Sequence, residues 1–404
     1  MRFLQKLNPL VFLLLFFISF STTLSSSYSA THLCSHEQAA ALLQFKSFFS
    51  INGSASDESA SSKWYCDSYC DPPYPKTESW KEDIDCCSWD GITCDNVTRH
   101  VIGLDLSSSC LHGSFPSNNS LFLIKSLQTL NLACNDFEHS KIPREIGQFA
   151  SLKHLDLSNS VFSGQVPEEI SHLSKLVSLD LSRVESPFDS LQEEESSLKF
   201  QFKLDPIAFK GLVKNLSEVR KLSLGRVNMS SLDPRYILNL SSSLTDLILF
   251  DCDIEGNFPN NIFQFPKLKV LMLGERRRQL AISLPRFNLS SPLKELGLSN
   301  MLCLGKLSDS IGDLKSLKFL YLACNLQGSI PASIGNLSQL NSLYLLGNNI
   351  NGLIPSSLTN LTQLSDLSLA TNQLSGSIPF HASGFSKLVG LNLANNLFNG
   401  TIPS

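Results

Sequence analysis

A six-residue pattern, Leu-x-x-Leu-x-Leu, constrains the fold of this chain more than any other feature of its sequence. Most copies lie 23 to 25 residues apart, with gaps of 26 residues after the first copy and 43 residues after the fourth. A fixed period of this length is typical of a chain built from one stacked structural unit. Twelve copies are present, two of which have Val at the first position. They start at Val101, Leu127, Leu152, Leu176, Val219, Leu244, Leu268, Leu293, Leu317, Leu340, Leu364 and Leu388.

Each position of the unit has a physical role, which is clearest in the copy that starts at Leu340. Its leucines alternate with other residues, so a short strand points them to one side. Asn348 follows the strand, where its amide offers a donor and an acceptor to backbone groups that would otherwise be buried without partners. The same place, which we call the ladder position, is predicted to hold Asn135, Cys252, Asn325, Asn372 and Asn396.

One unit cannot bury its own apolar face, so neighbouring units must stack to form a continuous core. We therefore predict an α/β solenoid, a right-handed superhelix with a parallel sheet on its concave face. The period is too short for a strand–helix–strand crossover, which excludes doubly wound folds and α/β barrels.

The N-terminal residues 1–30 are predicted to be a signal peptide. Arg2 and Lys6 precede an apolar run that is too short to cross a bilayer, and small polar residues follow it. No later segment has 18 or more apolar residues in a row, so we expect no membrane anchor in this chain.

Residues 31–99 are predicted to form an N-terminal cap that covers the open end of the solenoid. A helix is expected near its start, with Ser35 and Gln38 as a capping box. Residues 100–404 hold the twelve units, with a loop insertion at about 182–198. The last unit is incomplete, so we expect a truncated product or part of a longer protein.

A secreted chain folds in an oxidising compartment, where its 11 cysteines favour disulfides over metal ligands. The odd total leaves at least one thiol free or in an intermolecular bond. Ten Asn-x-Ser/Thr motifs agree with a secreted glycoprotein. These predicted N-glycosylation sites are Asn52, Asn96, Asn118, Asn215, Asn228, Asn239, Asn288, Asn336, Asn360 and Asn399.

Candidate ligand-binding residues lie between the leucines of each strand, facing the concave surface. Stacked strands are about 4.8 Å apart, so equivalent residues of successive units form columns. We predict that Phe319, Tyr321, Tyr344 and Leu346 form an exposed apolar patch, since rigid tyrosines are common anchors at interfaces. Phe250 and Met272 are further candidates in these columns. The alternative is that aromatic residues are simply favoured in strands.

A basic cluster, Arg276-Arg277-Arg278, begins at the ladder position of its unit, where Asn is expected. Such a cluster is suited to an acidic peptide or a pectin-like wall polymer, and Arg276 is therefore a further ligand-binding candidate. The alternative is a degenerate unit with a solvated turn.

Composition and motifs argue against several classes of function. A net charge of −4 gives no basic surface for nucleic acid. There is no Gly-x-Ser-x-Gly, no phosphate-binding loop and no kinase signature, so we expect neither an enzyme nor a cofactor. The segment from His36 begins like a zinc-protease motif, but Ala40 stands where the second histidine is required. We therefore predict no metal site.

Three stretches of the cap form a set of motifs: Cys34…Glu37…Ala41-Leu42-Leu43-Gln44-Phe45-Lys46, Tyr74-Pro75-Lys76-Thr77-Glu78-Ser79-Trp80, and Asp85-Cys86-Cys87-Ser88-Trp89-Asp90-Gly91-Ile92-Thr93-Cys94-Asp95. In these motifs the cap resembles that of plant receptor-like proteins. Gly-Ser-Ile-Pro at Pro331 and Pro379 is similar to the plant extracellular consensus of leucine-rich repeats. The chain resembles the N-terminal part of the ectodomain in the disease-resistance class that senses fungal effectors.

That resemblance implies a leucine-rich-repeat fold, a protein or peptide ligand and a membrane receptor kinase as signalling partner. Contacts with the kinase are expected from membrane-proximal repeats that this chain lacks. The resemblance also implies a disulfide between Cys87 and Cys94 in the cap. Cys34 would then pair with Cys86, and Cys66 would pair locally with Cys70.

Three functions remain open from the sequence. The first is perception of a pathogen-derived protein or peptide at the cell surface. A second is a developmental peptide co-receptor of the same architecture, and a third is a secreted inhibitor of enzymes that degrade the cell wall. The long cap insertion and the insertion after Leu176 favour the receptor-like class over the inhibitor class.

Overall fold

The computed structural model of the protein describes residues 34–51, 74–183, 202–275, 279–379 and 385–399. Several predicted features lie outside these residues: the signal peptide at 1–30, most of the insertion at about 182–198, and Asn52, Cys66, Cys70 and Arg276. Within the described residues the chain is a solenoid with a long, mostly parallel sheet, which confirms the predicted fold.

Most of the regular structure is short β-strand. The elements in chain order are α1 (His36–Lys46), β1 (Ser50–Ile51), β2 (Ile92–Cys94), β3 (Val101–Asp105), β4 (Leu111–His112), β5 (Thr129–Asn131), β6 (His154–Asp156), β7 (Gly164–Gln165), β8 (Ser178–Asp180), β9 (Phe202–Lys203), α2 (Pro206–Asn215), β10 (Lys221–Ser223), β11 (Val227–Asn228), β12 (Asp246–Phe250), β13 (Gly256–Phe258), β14 (Val270–Gly274), β15 (Leu280–Ser283), β16 (Glu295–Ser299), β17 (Leu302–Leu304), β18 (Phe319–Ala323), β19 (Gln327–Gly328), β20 (Ser342–Tyr344), β21 (Asn349–Gly352), β22 (Asp366–Ser368), β23 (Gln373–Gly376), β24 (Gly390–Asn392) and β25 (Leu397–Phe398).

The concave face is one sheet of 13 strands among the described residues, in the order β2-β3-β5-β6-β8-β10-β12-β14-β16-β18-β20-β22-β24. The pair β2–β3 is antiparallel, and the neighbours after it are parallel and in register. The strands β13-β15-β17 and β19-β21-β23-β25 pair separately, after the turn that follows each concave strand. Each unit therefore contributes one strand to the concave sheet, and most units add a short second strand.

Leucines that point inward from the concave strands fill the core along the whole solenoid. In one unit Leu340, Leu343 and Leu345 have no exposed surface, and the equivalent residues of the neighbouring units are buried against them. Burying each such side chain stabilises the fold by roughly 1.5–3 kcal/mol relative to leaving it exposed. No unit gains this without its neighbours, which is why the units stack.

Short 3₁₀ helices form the outer side of most units, and glycines let neighbouring helices approach closely. A Cβ at Gly335 would lie 2.2 Å from the carbonyl oxygen of Ser357, and one at Gly312 would lie 2.5 Å from that of Ser333. These helices are Ser120–Leu123, Arg144–Gln148, Glu168–His172, Pro234–Asn239, Asn260–Gln264, Asp309–Asp313, Ala332–Asn336 and Ser356–Asn360.

Asn348 shows how the ladder position joins two units. Its Oδ1 accepts hydrogen bonds from the N–H groups of Cys324 (3.1 Å) and Leu326 (2.9 Å) in the preceding unit. Its Nδ2 donates to the carbonyl oxygens of Leu322 (2.6 Å) and Leu345 (3.0 Å). Asn135, Asn372 and Asn396 make equivalent contacts. The predicted role of these asparagines is therefore correct.

The prediction that Asn325 belongs to this ladder is wrong. Its unit is one residue shorter than the next, so Cys324 takes the buried ladder position and is 1% exposed. Asn325 is displaced into the turn with a φ of 66° and accepts a hydrogen bond from Asn349 Nδ2. The ladder position is assigned by counting eight residues from the first leucine of each unit. This count misses a deletion that lies after the strand, because the leucine pattern of the strand itself is intact.

The cap is held by a stacked pair of tryptophans and by two disulfides. The rings of Trp80 and Trp89 lie 5.4 Å apart at an interplanar angle of 16°, and both residues are buried. The disulfides are Cys34–Cys86 and Cys87–Cys94, the two pairs that followed from the family resemblance. Asp85 accepts hydrogen bonds from the backbone N–H groups of Cys34 and Cys87 and from the guanidinium of Arg99.

Gln38 does not form the predicted capping box with Ser35. The Ser35 side chain makes no capping hydrogen bond, and helix α1 ends at Lys46. Gln38 instead accepts a hydrogen bond from the N–H of Val101 (3.0 Å) and donates to Ser126 Oγ (3.1 Å). Gln38 therefore provides a hydrogen-bond partner for a backbone N–H group at the edge of the first unit, and it links the cap to the solenoid.

Replacement of Asn348 by alanine should destabilise the protein by about 2–4 kcal/mol, because several buried backbone groups lose their partners. Urea unfolding followed by circular dichroism would show this as a lower midpoint. Asn351→Ala in the same unit is the matched control, since Asn351 is exposed. Equal midpoints for the two variants would contradict the role of the ladder position.

Candidate functional site on the concave face

Four neighbouring strands in the middle of the concave sheet are longer than most of the others. β12, β14, β16 and β18 each have five residues and pair over their full length. Several three-residue strands end on Asp or Asn, whose side chain accepts the N–H two residues later and turns the chain away; Asp156 and Asn131 are examples. The long strands carry Ile248, Met272, Gly297 and Tyr321 at this position, and their pairing continues for two more residues.

The widened sheet carries a cluster of aromatic side chains. Register pairs Tyr321 with Tyr344 and Gly297, and their column continues through Met272. The ring of Tyr344 lies 5.8 Å from that of Phe319 and 5.9 Å from that of Tyr321. All three residues are half-buried, and burial raises the pKa of the Tyr321 hydroxyl. We call Met272, Phe319, Tyr321 and Tyr344 the aromatic platform.

Two glycines make this surface continuous. A Cβ at Gly297 would lie 2.4 Å from Met272 Sδ, and one at Gly274 would lie 2.8 Å from Phe250 Cδ1. Met272 and Phe250 therefore lean over the glycines of the next strand, and Met272 reaches toward the tyrosines. The close packing of Phe250 and Met272 onto glycines depends on side-chain direction, which the column pattern of the sequence does not reveal.

Leu346 and Phe250 mark the two ends of another column. Between them the register places only the small residues Gly274, Ser299 and Ala323, so a shallow trough about 19 Å long runs beside the platform. Leu346 is half-buried and lies just beyond β20. Arg276, the remaining candidate, lies outside the described residues.

Glu275 is a buried acid directly beneath this surface, and the sequence analysis did not identify its role. It is 3% exposed, and its two carboxylate oxygens accept hydrogen bonds from the N–H groups of Cys252 (3.2 Å), Asp253 (3.0 Å) and Ile254 (3.1 Å). Asn348 makes the equivalent contacts three units later. Glu275 thus replaces the missing ladder asparagine, and the signal for it was the lack of Asn at the next position.

Burial raises the pKa of Glu275 to about 7, although the three N–H donors favour the charged form. The nearby carboxylate of Asp251 adds to the increase. Glu275 is therefore a titrating group in the structural connection between β12 and β14.

The solenoid contains both disulfide-bonded cysteines and a free cysteine among the described residues. Cys303 and Cys324 form a disulfide between neighbouring units, and Cys110 and Cys134 are also disulfide-bonded. Cys252 is a free, buried thiol at a ladder position, where it donates to the carbonyl oxygen of Leu224. Burial raises its pKa well above the ordinary value, so it is a poor nucleophile.

Cap residues 34 and 85–87 bring one acid and three sulfur atoms together. These ligand atoms lie within 4.8 Å of one another, which alone would suggest a metal site. All three sulfurs are already in disulfides, so they have no thiolate to offer a metal ion.

The predicted glycosylation sites are mostly accessible. Among the described acceptors Asn228 is half-buried, with Ser230 Oγ donating to its side-chain oxygen. The exposed acceptors are Asn96, Asn118, Asn215, Asn239, Asn288, Asn336, Asn360 and Asn399. In the part of the chain that the structure describes, no helix has the length and apolar character needed to span a bilayer.

Family comparisons agree with this architecture. A model described as "Leucine-rich repeat region" matches residues 243–392, and one described as "Leucine rich repeat N-terminal domain" matches residues 35–70 and 65–95. Receptor-like protein 6 of Arabidopsis thaliana is 37% identical over 72% of this chain and 28% of its own length. Receptor-like protein Cf-9 of Solanum pimpinellifolium is 38% identical over 76% of this chain and 33% of its own length.

This chain belongs to the leucine-rich-repeat receptor-like proteins of plants. It spans about a third of the length of the curated relatives it matches. Among solved structures, the ectodomain of the Arabidopsis thaliana membrane receptor kinase GASSHO1/SCHENGEN3, in complex with CASPARIAN STRIP INTEGRITY FACTOR 2, is 26% identical with a TM-score of 0.59. That match covers 81% of this chain and 40% of the solved one.

The titration of Glu275 predicts how stability of this receptor-like protein depends on pH. Its folded pKa of about 7 exceeds the ordinary value of 4.5, so the folded state holds the proton more tightly between these pH values. The contribution of Glu275 to stability is therefore present below about pH 4.5 and is lost as pH rises to 7. Glu275→Gln keeps an acceptor oxygen but cannot ionise.

Thermal unfolding of the wild type, Glu275→Gln and the exposed control Glu255→Gln would be compared between pH 5 and pH 7.5. The melting temperature of Glu275→Gln should rise relative to wild type as pH increases, and that of Glu255→Gln should follow wild type. A constant difference between Glu275→Gln and wild type across this range would show that Glu275 does not titrate there.

Proposed function

We propose that this chain is the extracellular recognition part of a receptor-like protein that binds a pathogen-derived protein or peptide in plant defence. The ligand would lie across the concave face of β12 to β20, anchored on the aromatic platform. A membrane receptor kinase would carry the signal, as the resemblance to receptor-like proteins implies. The site of action is the extracellular face, in a secreted or a plasma-membrane protein.

The aromatic platform is the observation that supports this proposal. Strand side chains that merely favour β-structure would be scattered, whereas Phe319, Tyr321 and Tyr344 have their rings within 6 Å of a neighbour. Their backbones are fixed by in-register pairing, so little conformational entropy is lost when a ligand binds. A rigid cluster of half-exposed tyrosines is typical of the centre of a protein interface.

Family membership supports the remainder of the proposal. The relatives are receptor-like proteins, and the cap motifs resemble the disease-resistance class. Perception of an endogenous developmental factor is the second candidate, favoured by the solved ectodomain that holds CASPARIAN STRIP INTEGRITY FACTOR 2. Both functions would use the same surface and differ in the origin of the ligand.

Tyr344→Ala should remove the centre of the binding surface, since Tyr344 contacts both of the other rings. The wild type would first be tested by biolayer interferometry against a panel of purified secreted proteins from fungal pathogens. For any protein that binds, Tyr344→Ala should weaken the affinity by about 30-fold, the size expected of an interface hot spot.

Tyr74→Ala is the matched control, because Tyr74 is 54% exposed on the cap, away from the platform. It should leave the affinity unchanged, with both variants folded by circular dichroism. Binding to plant-secreted peptides and to no fungal protein would favour the developmental function. Ligands that bind equally to wild type and Tyr344→Ala would show that the platform is not the binding site.

A further inference from the structure

A row of basic side chains runs along one edge of the concave sheet, separate from the aromatic platform. Each of these residues immediately precedes a concave strand: Arg220 before β10, Lys269 before β14, Lys294 before β16 and Lys318 before β18. All four are exposed. We call Arg220, Lys269, Lys294 and Lys318 the basic row.

Backbone hydrogen bonds fix the spacing of the row. The N–H of Lys318 donates to the carbonyl oxygen of Lys294, and the N–H of Lys294 donates to that of Lys269, each at 2.7 Å. Thr245 continues the same chain of bonds between Lys269 and Arg220. The Cα atoms at this position in neighbouring units are therefore held about 4.8 Å apart, so the row from Arg220 to Lys318, with Thr245 in its second place, is about 19 Å long.

The charges of the row are not neutralised within the described residues. None of the ion pairs there includes Arg220, Lys269, Lys294 or Lys318. The neighbouring column of the sheet contains two acidic residues, Asp246 and Glu295. It also contains Lys221, whose positive charge offsets one of these two negative charges. Like charges stacked on adjacent strands repel one another, so this arrangement weakens the fold unless a ligand uses it.

One further lysine, Lys153, lies at this position in the N-terminal units, beyond the uncharged Val177. Lys153 precedes β6, and its Nζ contacts Gln128 Oε1 at 2.8 Å, which shows that side chains of adjacent units meet along this edge. Burial together with the charges of Lys153 and Lys221 lowers the pKa of His154.

The chemistry of the row distinguishes it from a site for a folded protein. The residues from Arg220 to Asn341 at this position are all polar, so there is no apolar anchor. Three of the four charges are lysines, whose compact ammonium groups on flexible stems pair with carboxylates without a fixed geometry. The three lysines lie on successive units at even spacing, and Arg220 lies two units before the first of them. Such an arrangement fits a ligand that presents one negative charge per repeating unit.

We propose that the basic row binds a linear carboxylate-bearing polysaccharide, such as a polyuronic acid, along the edge of the concave face. The ligand would run parallel to the stacking direction of the strands, with successive carboxylates near successive lysines. Its site is distinct from the aromatic platform, so a protein ligand and the polysaccharide could be held side by side.

The test measures binding of the whole chain to immobilised polygalacturonic acid at 50 and 200 mM NaCl. The triple variant Lys269→Gln, Lys294→Gln, Lys318→Gln should bind at least about tenfold more weakly at the lower salt concentration. The matched control is Lys203→Gln, Lys214→Gln, Lys306→Gln, which removes three exposed charges elsewhere and should retain most of the affinity. Wild-type binding should fall with salt and be lost on the fully methyl-esterified polymer.

Equal losses in the two triple variants, or no binding by the wild type, would overturn the proposal. Poly-L-glutamate is the second probe: if it binds as tightly as polygalacturonic acid and depends on the same three lysines, the row is a site for acidic peptides. Tyr344→Ala should keep full affinity for polygalacturonic acid, so failure of the platform as a protein-binding site would not be mistaken for failure of the row.

Discussion

The structure depends on satisfying the backbone groups of the turn that follows each concave strand. These N–H and C=O groups point into the solenoid, where water cannot reach them, and the next unit must supply their partners. Asn348 does this with one amide that both accepts and donates. The Glu275 carboxylate accepts hydrogen bonds from backbone N–H groups, as the amide oxygen of Asn348 does. The Cys252 thiol donates to a backbone carbonyl oxygen, as the amide nitrogen of Asn348 does. Stacking order and register follow from these links as much as from the leucines.

In the middle of the concave face, several units without an asparagine at the ladder position have longer strands. The units with Cys252, Met301 or Cys324 buried at or next to the ladder position carry five-residue strands, and the units with Asn135, Asn348, Asn372 or Asn396 carry three-residue strands. The units with Ser160 and Val227 there also carry three-residue strands, so the absence of asparagine permits a longer strand without requiring it. Longer strands leave more side chains in fixed positions on the concave surface. Three of the four residues of the aromatic platform, Met272, Phe319 and Tyr321, therefore lie in units where the ladder departs from its regular pattern.

Charge and apolar surface are separated on this face. The platform offers aromatic contacts on rigid strands, while the basic row offers exposed charges one residue before those strands begin. An apolar anchor gains most when water is excluded, and a lysine keeps its charge at low cost only in water. The curved sheet provides both environments within a single surface, which the two proposed binding sites require.

The solenoid, the concave columns and most of the ladder asparagines were predictable from the sequence, because they follow from a period that each unit repeats. The sequence also indicated Tyr321 and Tyr344 as neighbours, since in-register strands convert sequence spacing into distance. The tertiary structure alone decided where the pattern breaks: Cys324 replaces Asn325 after a one-residue deletion, Gln38 binds Val101 instead of capping its helix, and Glu275 takes the place of an asparagine. Such contacts join residues of different units, and a partner's identity depends on three-dimensional packing that no single period encodes.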